Sequence, residues 1–195
     1  FWIPQVAGKK DTVPGNTNQM WFQVDKPGNY SGQCGEFCGI AHARMRFRVI
    51  AEEEADFNVW LNAMKTPPKT VASEGYGLFL AHCSMCHSID SYSDGSYERE
   101  ITVQDERWAD WYDNQEESVR VSAPNLTHLG IRTMLAAGEK DMTRENLIAW
   151  IKNPSDIKQG TRMQSVANVY KAGAANLKEH EVEAIADYLL SQIPD

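Results

Sequence analysis

The segment from Cys34 to Met45, with the sequence CGEFCGIAHARM, most constrains what this chain can fold into. The thiols of Cys34 and Cys38 lie close in sequence to the imidazole of His42 and the thioether of Met45. Sulfur and imidazole donors are soft ligands, and they favour copper over cations that prefer oxygen ligands. We therefore predict that residues 34–45, here named the copper loop, bind copper.

The two cysteines could also form a disulfide, a zinc site or a mononuclear copper site. Structural zinc sites take four nitrogen or sulfur ligands at other spacings and do not use methionine. A mononuclear blue copper site has one cysteine ligand, so Cys38 would have no role in it. The second thiol favours a site that holds two copper ions.

A second motif, Cys83-Ser-Met-Cys86-His87, has the spacing of a c-type haem attachment site. Its two thiols are placed to bond to the haem vinyl groups, while His87 ligates the iron. The alternative is a thioredoxin-like redox pair, but that motif needs a βαβ context and has no use for His87. The four cysteines of the chain all lie in these two motifs, so none is left for a stabilising disulfide.

The first part of the chain has the pattern of strands followed by one helix. Residues 19–24, 29–33 and 44–50 have strand patterns, and residues 54–64 carry apolar side chains at helical spacing. About three strands are too few for a β-sandwich, which usually has about seven. Consecutive prolines within residues 65–72 interrupt both helix and sheet, and they mark the expected domain boundary.

The rest of the chain is predicted to be helical. Ser73 is placed to cap a helix that leads into the haem motif. Residues 143–152 and 178–192 have apolar side chains at helical spacing, which predicts two further helices. Residues 88–120 depart from this pattern, because ten acidic residues stand there against three arginines.

Charge and hydropathy narrow the classes of function. The net charge is −8, and most of the acidic excess lies in residues 88–120, which also include Trp108, Trp111 and Tyr112. An acidic surface steers basic partners and disfavours nucleic acid as a ligand. No apolar run approaches the roughly 20 residues of a membrane-spanning helix, and no signal-peptide pattern is visible.

The copper loop resembles the loop that binds the binuclear copper centre, CuA, in subunit II of cytochrome c oxidase. The resemblance implies that the thiolates of Cys34 and Cys38 bridge two copper ions. It also implies further ligands from the side chains of His42 and Met45 and from the backbone carbonyl of Glu36.

The haem motif and the helices after it resemble class I cytochromes c. The resemblance implies that the second axial ligand is Met163, in the stretch 159–164, and that Pro124 supports His87. The spacing alone leaves other candidates for that axial position, which are His128, Met134, Met142 and His180.

Together the two motifs resemble subunit II of a caa3-type cytochrome c oxidase. The implied fold is multidomain, with the C-terminal half of a β-sandwich, cupredoxin-like CuA domain at residues 1–64 and a Pro-rich linker at 65–72. An all-α class I cytochrome c domain at residues 73–195 follows, with an acidic insertion at 88–120. In this family a His-Ser pair stands directly before Phe-Trp-x-Pro. We therefore expect that histidine ligand, the rest of the domain and two membrane helices to precede residue 1.

This resemblance implies an electron-transfer subunit of an enzyme, a terminal respiratory oxidase. Electrons from cytochrome c, another carrier or a quinol-oxidising complex would pass through haem c and CuA to the haem-copper subunit I, which reduces oxygen and pumps protons. The parent protein would be anchored with other oxidase subunits in the plasma membrane of a bacterium, with this part facing the periplasm or the outside. Protein ligands fill both implied centres, so the chain itself is expected to carry no oxygen-reduction site and no catalytic residue.

Two other functions fit the same motifs. One is a stand-alone copper-haem electron shuttle, and the other is a docking remnant in which only the haem is active. Nitrous oxide reductase also has a CuA loop, but there the copper domain ends the chain, so the haem motif favours an oxidase.

Overall fold

A computed structural model describes residues 1–68, 71–89, 123–173 and 175–194, together with the backbone of residues 98–101 and 119–122. The helices are α1 (Glu54–Met64), α2 (Glu74–His82), α3 (Arg144–Lys152), α4 (Pro154–Ile157), α5 (Arg162–Val166) and α6 (Glu179–Leu190). The strands pair antiparallel as β1 (Gly28–Gln33) with β2 (Arg46–Ala51), β3 (Glu98–Ile101) with β4 (Val119–Ser122), and β5 (Met134–Leu135) with β6 (Lys140–Asp141). Among these residues, no helix has both the length and the apolar character needed to cross a bilayer.

The copper loop is the connection of a β-hairpin. Strands β1 and β2 pair in register up to Gln33 opposite Arg46, and the loop joins these two residues. The strands predicted at residues 29–33 and 44–50 are confirmed, although β2 begins later because His42–Arg44 forms a 3-10 turn. Along β2, exposed residues alternate with half-buried ones, as expected for a strand with one face covered.

The strand predicted at residues 19–24 is wrong. These residues pair with no strand in the described parts of the chain. Trp21 is 90% exposed, and the ring of Phe22 lies 6.3 Å from that of Phe1. A strand pattern gives a strand only where a neighbouring strand supplies the hydrogen-bonded ladder, and β2 pairs with β1 instead.

Helix α1 has the predicted bounds, but its apolar stripe is only partly covered. Phe57 and Trp60 are each 45% exposed, and their rings lie 5.7 Å apart. Leu61 and Met64, on the same stripe, are half-buried. The helix therefore presents an apolar face that the described residues leave open.

The core of the C-terminal region lies where α2 crosses α6, as the resemblance to class I cytochromes c implies for the first and last helices. Gly75 allows the close approach, because a Cβ atom there would lie 2.0 Å from the carbonyl oxygen of Ala184. The ring of Tyr188 lies 5.4 Å from that of Tyr76 and 5.6 Å from that of Phe79. The buried members of the core are Phe79, Leu129, Leu135, Leu147, Ile151, Val182, Ile185, Ala186, Tyr188 and Leu189.

Helices α2 and α3 each start at a side chain that caps the helix, and the cap of α2 is the predicted Ser73. The Ser73 hydroxyl accepts a hydrogen bond from the Tyr76 amide at 3.1 Å, and that of Thr143 accepts one from the Asn146 amide at 3.2 Å. Such caps satisfy backbone donors that the first helical turn leaves free. Helix α6 ends at Leu190, slightly before its predicted end.

The β5–β6 hairpin was not predicted from the sequence. Its turn holds three successive residues with positive φ, which are Ala136 at 56°, Ala137 at 61° and Gly138 at 86°. Glycine adopts this left-handed region freely, whereas alanine does so rarely. The turn is therefore held by its surroundings rather than by local preference.

Most of the acidic insertion lies outside the described residues. Within it, β3 and β4 pair from Glu98 opposite Ser122 to Ile101 opposite Val119. The three aromatic residues noted there, Trp108, Trp111 and Tyr112, lie outside the described residues.

Candidate metal centres

The copper loop brings its soft donor atoms together. The Sγ atom of Cys38 lies 3.4 Å from Sγ of Cys34, 3.8 Å from Nδ1 of His42 and 3.6 Å from Sδ of Met45. Metal–thiolate bonds are about 2.3 Å long, so donors at these separations can share one ion. The Cys34 amide also donates to the Met45 carbonyl at 3.0 Å, and this bond closes the base of the loop.

The two thiols of the loop differ in acidity. Hydrogen bonding with the backbone of Glu36, and then with the side chain of Cys38, holds the pKa of Cys34 below its usual value. The hydrogen bond with Cys34 raises the pKa of Cys38. The Glu36 carbonyl oxygen lies 3.0 Å from Cys34 Sγ, so the backbone of Glu36 stands beside the donor set. All four cysteines of the chain are free thiols, the form that a metal converts to thiolate ligands.

A cavity of about 460 Å³ lies beside the second motif. Its volume falls in the range of cofactor pockets, roughly 300–1,000 Å³. Cys83, Cys86, His87 and Met163 all line it, so the structure brings together the residues that the sequence places far apart. Most of its other walls are apolar, and they include Leu129, Leu135, Leu147, Trp150, Val169 and Ile185.

His87 is oriented by the carbonyl of Pro124. Its Nδ1 atom lies 2.8 Å from that oxygen, so Nδ1 donates and Nε2 remains as the nitrogen available to a metal. Burial lowers the pKa of His87, which keeps the imidazole neutral as ligation requires. Burial also raises the pKa of Cys83 to about 12 and raises that of Cys86.

Three methionines line the cavity, so the structure leaves three candidates for the second axial ligand of the haem iron. They are Met134, Met142 and Met163, and the last lies in the short helix α5 rather than in the predicted loop. His128 is 3% exposed and its Nε2 atom lies 2.7 Å from the Thr66 carbonyl oxygen, away from the cavity lining. His180 is exposed in the first turn of α6 and does not line the cavity.

The donor sets fit the groups that the motifs imply. Two thiols, an imidazole, a thioether and a nearby carbonyl are ligands that suit copper. The cavity offers two thiols for covalent attachment and a histidine whose other nitrogen is already hydrogen-bonded. An apolar lining of this size can enclose a flat macrocycle and exclude water from it.

Sequence reasoning missed Tyr170 and Lys158, which also line the cavity. Tyr170 is 3% exposed, its hydroxyl donates to the Ile151 carbonyl at 2.8 Å, and burial raises its pKa. The charge of Lys158 is close enough to oppose the rise in the pKa of Cys38. Neither residue belongs to a spacing motif, so only the folded structure reveals its position.

A copper loop and a haem-sized cavity in one chain define an electron-transfer metalloprotein with two centres. Residues 1–52 match the family described as cytochrome C oxidase subunit II, periplasmic domain. Residues 72–192 match the cytochrome c family. The first family implies copper and the second implies covalently bound haem.

Three curated relatives cover nearly the whole chain, and each is named cytochrome c oxidase subunit 2. The one from Alkalihalophilus pseudofirmus is 32% identical over 98% of this chain, and the one from Bacillus sp. PS3 is 33% identical over 98%. The one from Bacillus subtilis is 31% identical over 97%. The chain spans about half the length of these relatives, between 47% and 49%.

The chain belongs to the cytochrome c family through residues 72–192, and before them it carries a cupredoxin-like domain that matches the periplasmic domain of cytochrome c oxidase subunit II. The predicted order of the two folds is therefore confirmed. The exact domain limits, 1–64, 65–72 and 73–195, stay predictions.

Proposed function

We propose that this chain passes electrons between haem c and a binuclear CuA centre as part of subunit II of a terminal respiratory oxidase. The observation that carries this proposal is that the copper loop lies close to a residue flanked by residues of the haem cavity. A Cβ atom on Gly160 would lie 3.2 Å from Cδ1 of Ile40 in the copper loop, and Lys158 and Thr161 on either side of Gly160 line the haem cavity. When bound, the haem and the copper pair would each supply one-electron oxidation and reduction.

The side chains of the copper loop hold the proposed copper pair. Cys34 and Cys38 would supply thiolate ligands, His42 an imidazole ligand and Met45 a thioether ligand. Glu36 contributes through its backbone carbonyl, and its side chain has no part in the site.

The cavity residues hold the proposed haem. Cys83 and Cys86 attach it covalently, and His87 ligates the iron through Nε2 because Pro124 engages Nδ1. Met163 would supply a second protein ligand to the iron, and a methionine ligand raises the iron potential relative to a second histidine. Held by His87 and Met163, the iron would offer no position to a substrate, and this chain would carry no oxygen-reduction site.

The proposed route begins with an external donor and ends in another subunit. Cytochrome c, another carrier or a quinol-oxidising complex delivers the electron at the haem. The electron leaves the copper loop for the haem-copper subunit I, where oxygen is reduced to water and protons are pumped. The parent protein is anchored in a bacterial plasma membrane with this part on the periplasmic or outer side. The description of the first matching family as a periplasmic domain supports that placement.

Metal and haem analysis of the complete protein with its cofactors tests the proposal. We expect two coppers and one covalent haem per chain, and an electron paramagnetic resonance signal split by two equivalent copper nuclei. Cys38→Ser should abolish that splitting. Glu36→Gln should preserve it, because the proposed ligand is the backbone carbonyl of this residue.

Three other results would contradict the proposal in different ways. Zinc in place of copper would exclude electron transfer at the loop. A haem-loaded protein without copper that still accepts and donates electrons would identify a docking remnant. Purification of the intact protein from its membrane without a haem-copper subunit would favour a stand-alone shuttle.

A further inference from the structure

We infer that the β5–β6 hairpin is a docking element that fixes the haem cavity against the copper-loop hairpin, with Arg44 and Glu139 as its central positioning pair. One consequence of this inference, the rate of electron transfer between the two centres, rests on the proposed function. The docking itself is independent of which metals are bound.

The turn of the β5–β6 hairpin is strained in a way that local sequence does not explain. Ala136 and Ala137 adopt φ angles of 56° and 61°, which alanine seldom does, and Gly138 follows at 86°. Such conformations are energetically unfavourable for residues other than glycine. They persist only where surrounding contacts hold them, and here those contacts come both from the β5–β6 hairpin itself and from Arg46 of the copper-loop hairpin.

The strained turn meets the start of β2 through one backbone bond and one ion pair. The Arg46 amide donates to the Ala137 carbonyl at 2.8 Å. Arg44 Nε lies 3.1 Å from Glu139 Oε1. The Glu139 side chain is 11% exposed and that of Arg44 is 46% exposed, so water screens this pair less than it screens a surface pair.

A third arginine extends the contact along the hairpin. Arg48 Nη1 lies 3.4 Å from the Thr133 hydroxyl, and Nη2 lies 3.7 Å from Oδ1 of Asp141. The three arginines occupy every second position from residue 44 to 48, and each one meets residues 133–141 through its side chain or its backbone. The fit is close, because a Cβ atom on Gly138 would lie 2.8 Å from Cβ of Arg46.

The same hairpin also forms a wall of the haem cavity. Met134, Leu135, Ala136 and Ala137 line the cavity, while Ala137 accepts the bond from β2 through its carbonyl. One turn therefore contacts both the haem cavity and the strand that carries the copper loop. Because electron transfer slows steeply with distance, an element that fixes this spacing sets the rate between the centres.

Hydrogen exchange in the complete protein tests the docking without relying on electron transfer. We expect Glu139→Gln to raise amide exchange in the segment around Arg46 by about three- to tenfold, as expected for loss of a partly buried ion pair. The control is Glu179→Gln, which removes a 2.6 Å ion pair with Lys152 that lies away from this hairpin. It should leave exchange in that segment unchanged.

A charge exchange separates docking from general loss of stability. The double variant Arg44→Glu with Glu139→Arg should restore slow exchange around Arg46, whereas either single reversal should not. Unchanged exchange in Glu139→Gln, or no recovery in the double variant, would overturn the inference. An unaltered haem absorption spectrum in each variant shows that the cavity remains folded.

Electron transfer in the same variants distinguishes the inference from the proposed function. If both hold, the haem-to-copper rate falls at least severalfold in Glu139→Gln and recovers in the double variant. If exchange responds as expected but the unmodified protein transfers no electron between its centres, the docking stands and the proposed function fails. If exchange responds but the rate does not, the positioning role fails.

Discussion

The two thiols of the copper loop differ in the fraction that is ionised at neutral pH. The pKa of Cys34 lies below its usual value and that of Cys38 lies above it. Because the thiolate is the nucleophile, iodoacetamide at about pH 8 should modify Cys34 severalfold faster than Cys38 in copper-free protein with its haem attached. Peptide mass spectrometry at short reaction times measures the order. Faster modification of Cys38 would contradict this order of the two pKa values.

A single methionine among the three at the cavity is expected to ligate the iron. Met163→Leu should lower the haem reduction potential by on the order of 0.1 V and open the ferrous haem to carbon monoxide. Met134→Leu and Met142→Leu conserve side-chain volume and should leave both properties nearly unchanged. Redox titration measures the reduction potential of each of the three variants, and absorption spectra with carbon monoxide measure its binding. Loss of the sixth ligand in either control variant would reassign the axial position.

At the scale of single residues, the sequence predicted the candidate ligands best where they lie close together along the chain. The copper donors fall within one loop, and Cys83, Cys86 and His87 are nearly adjacent, so spacing alone brought each set together. The axial ligand is separated from this motif by many residues. Three methionines reach the same cavity, and no local pattern ranks them.

At the scale of elements, the crossing of α2 and α6 depends on one glycine. A Cβ atom on Gly75 would meet the Ala184 carbonyl oxygen at 2.0 Å, so Gly75→Ala should destabilise the C-terminal region by about 1–3 kcal/mol. Gly77, in the same helix, has nothing within 4 Å of its Cβ position. Gly77→Ala should stabilise the helix by up to about 1 kcal/mol. Denaturant unfolding of the haem-loaded protein measures both, and equal effects would contradict the crossing.

An ion pair between Arg144 and Asp187 joins α3 to α6, and its contribution to stability depends on pH. Arg144 reaches both carboxylate oxygens of Asp187, at 2.6 and 3.1 Å, and their hydrogen bond lowers the pKa of Asp187. A carboxylate with a lowered folded pKa stabilises the protein above its unfolded pKa of about 3.9, and this stabilisation is lost as the pH falls through the folded value.

Asp187→Asn should therefore unfold at a temperature lower by no more than a few degrees at about pH 7, since the pair is largely exposed. The difference should disappear as the pH falls through the lowered folded-state pKa of Asp187. Glu183→Gln is the matched control, because its contact with Arg144 is longer, at 3.5 Å, and its effect should be smaller. Thermal unfolding across this pH range checks the prediction, and a difference that persists in acid would refute it.

Sequence patterns predicted the helices better than the strands. Side-chain spacing and the Ser73 and Thr143 caps are local signals, and α2, α3 and α6 formed where they were expected. Residues 19–24 carried a strand pattern without a strand beside them, because a partner is not encoded in the segment itself. The β5–β6 hairpin has two-residue strands and an Ala-Ala-Gly turn instead of an Asn-Gly turn, so it gave no recognisable signal.

At the scale of the whole molecule, the arrangement of the two regions could not be predicted. It depends on pairs such as Arg48 with Thr133, which are 85 positions apart in the sequence. Motif spacing says nothing about contacts of this range. The order of the two folds could be predicted because each carries its own motif, whereas their approach depends on surface residues that belong to neither motif.

The most direct test of the account is time-resolved spectroscopy on the oxidase complex of which this chain is proposed to be a part. After rapid photoreduction, haem c should lose its electron at the same rate at which the copper pair gains one, and before any haem in subunit I is reduced. Cys38→Ser should abolish this phase while leaving the initial reduction of haem c intact. Reoxidation of haem c with no change at copper, or an unchanged rate in Cys38→Ser, would contradict transfer between the two centres.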